Sequence, residues 1–498
     1  MELHVGSGAT GGPSQDTDVQ GKAFEVERQG IDISPEQERY GRSYDLFPIW
    51  FAGNITILGI PIGAVLVSFG LTIPEALAAD FVGCLSFFIV GLAAIPGARV
   101  GTATLTLSRA AFGLRGNKVP SLLSWITLVG WETISLIIGT FALEALLSKA
   151  GVSSSPGIAV VCLLAMAVGT FSITLLGHAT IVLVQKYAMV IFGLVSAIIV
   201  IFMITHIRAT VVPKPVTGSV STTWLLALSV MFASTVFAWI NYASDYTRHL
   251  PTRTSAAGIV WWTGIGAIIP GSILIGTGVL VGAQVGLASA ANPIAAMSSL
   301  VPTWMAVPFL LTAIAGQLTS NFLNSYSSGL SLLALGIRVP RTRTILIDGT
   351  ISVLVALYAI LITNFSSTFT SFLSLEVVWI ASWSAIYMVD ALDRLSLRRQ
   401  GYSGSDLLLI KGGQYWYRNG INWAAVGCWI VGSAGAFLFT NSALWASPLT
   451  KMWLGGADIS VFVGLLLTGG LYFAVLRFMR PLPVPGTEEA PAVEAPSH

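Results

Sequence analysis

Charge is what this 498-residue chain lacks most: Asp, Glu, Lys and Arg make up 10% of it, against roughly a quarter in soluble domains. A soluble globular fold is excluded on that ground. The net charge of +2 leaves no excess of either sign to attract nucleic acid or an acidic partner. Cysteine is almost absent. Cys84, Cys162 and Cys428 each lie in an apolar run, so they read as packing residues, with no disulfide expected. Histidine is equally sparse, and His178, His206 and His249 are scattered near the ends of apolar runs. They do not converge with carboxylates, so no catalytic residue, metal site or cofactor is expected, and an integral membrane enzyme is disfavoured. The connecting segments are too short for a folded domain, which excludes a pump carrying its own nucleotide-binding domain. The loop IPGARVGTATLTLSRAAFGLRG after residue 94 lacks the Gly-Lys-Ser/Thr ending of a phosphate cradle. Its arginines read instead as headgroup anchors.

What is present is hydrophobicity: 54% of residues are apolar and the mean hydropathy is +0.79. Counting ~20 apolar residues as one span divides the chain into twelve. Their cores are 46–69, 76–96, 120–147, 157–180, 187–205, 222–243, 257–282, 304–334, 344–362, 368–389, 421–440 and 457–477. With the N-terminus inside, 21 of the 25 basic residues fall in inner segments, leaving Lys149, Arg208, Lys214 and Lys451 outside. This asymmetry predicts cytoplasmic termini in a multi-pass protein of the cell membrane. Residues 1–44 and 481–498 are polar and read as disordered cytoplasmic tails, flanking a membrane domain over 45–480.

Four spans are unlike ordinary lipid-facing helices. Span six, in residues 231–251, reads MFASTVFAWINYASDYTRHLP, with Trp239, Asn241, Ser244 and Asp245 where hydrocarbon is expected. Polar groups at that depth are tolerated facing other helices or a watery site. Span one carries Ala52, Gly53 and Asn54, then Gly59, Pro61 and Gly63. Glycine and proline destabilise helix by about 1 and 3 kcal/mol, so the span is expected to unwind in its middle or to pack closely against a neighbour. Unwound backbone at membrane depth has to line a cavity or be buried in protein. Paired interruptions in two halves point to a binding site, and spans one and six are five apart. Span three holds Trp131 and Ser135 on one face and Glu132 about 100° round. That acid is neutral, paired across helices or a proton carrier. Span eight packs Thr319, Ser320, Asn321, Asn324, Ser325, Ser327 and Ser328 into ten positions. Their hydroxyls suit a small cation and their amides a heterocycle edge, or both serve helix–helix hydrogen bonds.

WFAGN in span one, PGARVG and SRAAFGLRGN after span two, GW in span three and AWINYASDYTRHLP in span six occur in that order. NSYSSGLSL in span eight, MVD ending span ten and YWYRNGINW follow. In this set the chain resembles the nucleobase–cation symporter family of purine, cytosine and allantoin or hydantoin permeases, over about 45–480. The resemblance implies an all-α, leucine-transporter-type fold. It has two inverted five-span repeats, about 45–210 and 220–392, and two extra helices at about 420–478. It implies a secondary active importer of a nucleobase such as cytosine or a purine, or of allantoin, hydantoin or a vitamin pyrimidine. It further implies that Trp131 and Trp239 sandwich a planar heterocycle, that Asn324 hydrogen-bonds it, and that Ser135, Ala52, Gly53 and Asn54 lie nearby. Relatives often carry Asn or Gln at Ser135, and fungal-type members Ser at Ala52. The coupling ion is H⁺ or Na⁺. Thr319 and Ser320 with span-one carbonyls would make an oxygen cage for sodium, whereas Glu132 would carry a proton.

Overall fold

The computed structural model describes residues 23–206, 220–285, 293–362, 365–442 and 445–478. These are helical almost throughout, and no β-strand occurs among them. Among the described residues nine helices are long and apolar enough to cross a membrane. The pair Ser43–Asn54 and Gly59–Ser68, bent by 63°, is a tenth candidate. The expected tenth and eleventh spans correspond to Phe365–Leu392 and to the shorter apolar helix Trp423–Leu438. Ten of the twelve expected spans therefore meet the test of length and composition among the described residues. Residues 1–22 and 479–498, with Arg208 and Lys214 of the charge argument, lie outside the described residues.

Span one does break, but earlier than its Pro61 suggests. The first segment, Leu46–Asn54, ends at Ile55, and the second, Gly59–Ser68, restarts four residues later. Pro61 thus falls in the first turn of the new helix, where its missing N–H has no intrahelical duty. The glycines serve close packing as well: a Cβ on Gly63 would lie 1.9 Å from the Ile275 carbonyl oxygen of span seven (Ala256–Val285). Span six runs as helix to Phe232, widens into a π-turn over Ala233–Phe237, and departs from helical angles at Trp239 and Tyr242. Its last turn, Ile240–Tyr246, is 3₁₀.

Spans four and five meet at Gly177, whose φ of +85° ends Pro156–Leu176 and lets His178–His206 begin at once. The expected boundary at residue 180 is therefore moved by one left-handed residue. Residues 23–44, expected within a disordered tail, pack against one face of the bundle. Arg39 donates to the carbonyls of Ser34, Ala98 and Val100 and to Thr252 Oγ1 at 2.8–2.9 Å. A guanidinium with that many fixed acceptors holds a polar segment that composition alone leaves loose.

Candidate functional site

The two interruptions face one another. Span three (Lys118–Lys149) and span eight (Thr303–Ala334) run beside them, and with Phe87 of span two and Leu274 and Ile275 of span seven they enclose a cavity of about 60 Å³. Asn54, Trp131, Ser135, Trp239, Tyr242, Gln317, Ser320 and Asn324 supply its polar and aromatic lining. Each tryptophan is held by a further aromatic edge. Trp239 meets Trp50 at 5.5 Å and 69°, and Trp131 meets Phe372 of span ten at 5.5 Å and 86°. Such edge-to-face contacts fix ring planes. Trp131 Nε1 also donates to both oxygens of Glu376, at 3.2 and 3.1 Å.

Hydrogen bonding marks which lining groups are engaged. Asn324 Oδ1 accepts from the Tyr242 hydroxyl at 3.1 Å, and Asn54 Nδ2 donates to the Trp50 carbonyl at 2.9 Å. Gln317 Nε2, buried in the same lining, has no protein acceptor. A buried donor without a partner is costly, so this amide is poised to meet an acceptor on a bound molecule. Gln317 and Tyr242 escape the sequence reading, and Glu376 stands out there only as an acid within span ten. Gln317 stands two helical turns before Asn324, at i−7, a spacing that could have found it.

Of the residues read from sequence, Trp131, Trp239, Asn324, Ser135, Ser320 and Asn54 come together around the cavity. Gly53 lies behind it, where a Cβ would come within 2.6 Å of Leu323 and 3.5 Å of the Trp239 ring. Ala52 is buried and contributes its carbonyl oxygen to the Thr319 hydroxyl, at 2.9 Å. Thr319 and Ser320 therefore have different surroundings. Ser320 lines the cavity, whereas Thr319 Oγ1 bonds the Ala52 and Gly316 carbonyls. Gln185 Nε2 of span five donates to the Thr319 carbonyl at 2.9 Å. Of the expected cage, the Thr319 hydroxyl and the Ala52 carbonyl thus lie against one another, bonded at 2.9 Å. Glu132 stands apart from the cavity, with its carboxyl held by Ser328 and Ser352 at 2.5 and 2.8 Å. No group of three or more His, Cys, Asp or Glu side chains suited to a metal ion occurs among the described residues.

On the face that carries residues 23–44, Glu27 bridges the bundle. It accepts from Arg248 Nη2 at 2.9 Å, the Tyr326 hydroxyl at 3.1 Å and the His178 backbone N–H at 2.6 Å. Burial opposes its ionisation, but Arg341 and Arg248 outweigh that and hold the carboxyl below its usual range. The His178 and His249 rings lie 4.4 Å apart beneath it. Burial first, then His178 and Arg248, keep His249 well below the ordinary histidine value.

Residues 34–464 match a family described as permeases for cytosine/purines, uracil, thiamine and allantoin. YxlA of Bacillus subtilis is 27% identical over 470 residues, covering 91% of this chain and 96% of its own. The purine-cytosine permease FCY21 of Saccharomyces cerevisiae is 24% identical over 491 residues, covering 92% and 86%. Among solved structures, the fold is shared with Mhp1, a nucleobase-cation-symport-1 family transporter captured closed with bromovinylhydantoin bound. Its TM-score is 0.71 at 19% identity, covering 90% of this chain and 94% of that one. A Na⁺-coupled sialic acid symporter shares the fold at a TM-score of 0.58 and 12% identity, with 93% and 94% covered.

Proposed function

The chain belongs to the permease family for cytosine/purines, uracil, thiamine and allantoin, and from that premise we propose that it is a secondary active importer of a nucleobase such as cytosine or a purine, coupled to a cation. The observation that carries the reading is the cavity itself. Trp131 and Trp239 offer two aromatic faces, and Asn324 and Gln317 offer amide groups at its wall. A planar heterocycle uses both: each stacked face is worth ~1–3 kcal/mol, and the amides read ring nitrogens and exocyclic groups.

Alternating access follows from the breaks in spans one and six, which let two repeats, about 45–210 and 220–392, rock around a fixed site. Ser135, where relatives often carry an amide, leaves hydrogen-bond selection to the span-eight side. That widens the range of acceptable rings, so allantoin, hydantoin or a vitamin pyrimidine is the second reading. The chain sits in the cell membrane with both termini cytoplasmic, a placement supported by the basic inner segments. The coupling ion is H⁺ or Na⁺.

The test is counterflow in proteoliposomes preloaded with unlabelled cytosine, adenine, hypoxanthine, uracil or allantoin, followed by the labelled compound. Saturable exchange of one or a few of these is expected. No exchange of any panel member by folded protein refutes the reading.

A further inference from the structure

Behind the cavity, spans three, eight and nine bury a second polar site. Glu132 Oε1 lies 2.5 Å from Ser328 Oγ, and the same Oγ lies 2.9 Å from Oδ2 of Asp348 in span nine (Arg341–Ile362). Ser352 Oγ donates to the other Glu132 oxygen at 2.8 Å, and Trp125 Nε1 donates to Asp348 Oδ1 at 2.6 Å. Glu132, Ser328 and Asp348 are each fully buried.

A serine hydroxyl has one proton and can donate to one acceptor at a time. Two ionised carboxylates on the same Oγ would leave one of them facing bare lone pairs. The geometry closes only if one carboxyl is protonated and donates to Ser328 Oγ while Ser328 donates to the other. Each carboxyl has one further partner, but Trp125 Nε1 can only donate whereas Ser352 Oγ can also accept, so Asp348 is assigned the carboxylate and Glu132 the acid. Among the described residues no Lys, Arg or His forms an ion pair with either carboxyl. Spans four and eight carry no Asp, Glu, Lys, Arg or His among their described helical residues. Span nine brings Arg341, which is engaged with the carbonyls of Glu27 and Thr174 and lies over the Tyr326 ring. Span ten brings Glu376, bonded to Trp131.

Two neighbouring atoms carry a separate indication. Asn321 Oδ1 and Ser325 Oγ are buried without a protein partner. Asn321 is within 3.4 Å of Glu132's own carbonyl through its amide nitrogen, and Ser325's carbonyl lies 3.1 Å from Ser328 Oγ. Unsatisfied polar atoms beside a buried acid are where a water delivering or receiving a proton would bind.

Resting on the symporter reading above, we propose that Glu132, Ser328 and Asp348 form the proton-carrying site of the transport cycle. The relay begins one residue from Trp131 and ends seven residues into span nine, about 10 Å from its Arg341 end. In one step the Glu132 O–H proton passes to Ser328 Oγ as the Ser328 proton passes to Asp348. Glu132 becomes the carboxylate, Asp348 the acid, and the hydroxyl is restored. A proton taken up at Glu132 with the heterocycle thereby moves to Asp348, toward the Arg341 end of span nine where Glu27 packs.

The experiment compares the parent protein with Glu132→Gln and Asp348→Asn in proteoliposomes loaded with a pH indicator. Adding the exchanged heterocycle outside should acidify the lumen of parent vesicles. An outside-acid gradient should drive accumulation that external Na⁺ does not change. Both variants should lose at least tenfold of gradient-driven accumulation and the luminal acidification, while counterflow persists as proof of folding. Should one variant fail to fold, the other and the parent's own proton movement decide. Parent-like acidification in both variants overturns the relay, as does accumulation in the parent driven by a Na⁺ gradient at equal pH. Absence of counterflow in the parent refutes the symporter reading instead, and the relay falls with it.

Discussion

Replacing Glu27 by Gln should unlatch residues 23–44 from the bundle while leaving the membrane helices folded. The carboxylate faces Arg248, whose side chain is fully buried, at 2.9 Å. Removing one member of a buried pair costs about 3–5 kcal/mol. Two features of this site lower that figure. The Glu27 side chain is 15% exposed, which screens it. Arg248 also keeps the Gly30 carbonyl at 2.5 Å and the Tyr326 hydroxyl at 2.8 Å. About 2 kcal/mol is the reasoned cost, and at 1.4 kcal/mol per tenfold the open population of the segment rises about 30-fold.

Hydrogen exchange, resolved to peptides covering 27–42 and 318–332, measures this directly. Exchange should accelerate about 30-fold in the first and hardly at all in the second. Unchanged protection over 27–42 refutes the latch, and equal acceleration in both peptides shows a global loss of stability instead. Acid should act in the same direction. Glu27 has a lowered value in the folded state, so its contribution is complete above the free-glutamate range and lost as pH falls through the lowered one. His249 is held neutral in the fold, whereas the released chain binds a proton below about pH 6.5, so its contribution is also lost on acidification. Protection of 27–42 should therefore fall from neutral pH downward and not rise at any step.

Trp131→Ala and Trp239→Ala should each weaken heterocycle binding more than tenfold, as one lost stack of ~1–3 kcal/mol requires, with Phe restoring part; equal affinity in both alanine variants sinks the pocket assignment. Asn324→Ala and Gln317→Ala should change which panel member exchanges best, since each alters what the cavity wall can hydrogen-bond at ~1–3 kcal/mol; an unaltered preference in both would move recognition elsewhere. Gly63→Val should abolish folded yield, because its Cβ would sit 1.9 Å from the Ile275 carbonyl oxygen; normal monodisperse yield on size-exclusion chromatography contradicts that crossing.

How much of this was legible in the residues depended on whether the signal was local. The breaks in spans one and six were visible because glycine, proline and polar residues interrupt an apolar run, and both breaks are present near where they were read. The exact ends were not visible, since a single left-handed glycine, Gly177, separates spans four and five. The packed segment 23–44 was missed for a similar reason. Its composition is that of a loose tail, and what holds it is long-range: Arg39 on the end of span two, and Glu27 on Arg248. No pattern within the segment announces partners some 60 to 220 positions away. Asp348 was passed over as well, one acid in an otherwise apolar span, whose meaning appears only when Ser328 stands opposite.

Span eight shows why its polar residues resisted a single reading. Its groups divide by helical period into faces with separate duties. Gln317, Ser320 and Asn324, spaced three and four apart, line the cavity. Asn321 and Ser328, seven apart and so two turns along one side, bond Glu132 of span three. Ser327 and Ser331 bond Tyr246 and Ser124, and Thr319 closes onto the break in span one. Substrate recognition and helix-to-helix hydrogen bonding had stood as competing accounts of one polar run. Cavity lining and helix-to-helix bonding fall on different sides of the same helix, about 100° apart per residue. The division has a mechanical consequence. A rotation of span eight that opens the cavity wall also moves Ser328 relative to Asp348, so one rigid helix can tie occupancy of the heterocycle site to the proton's position.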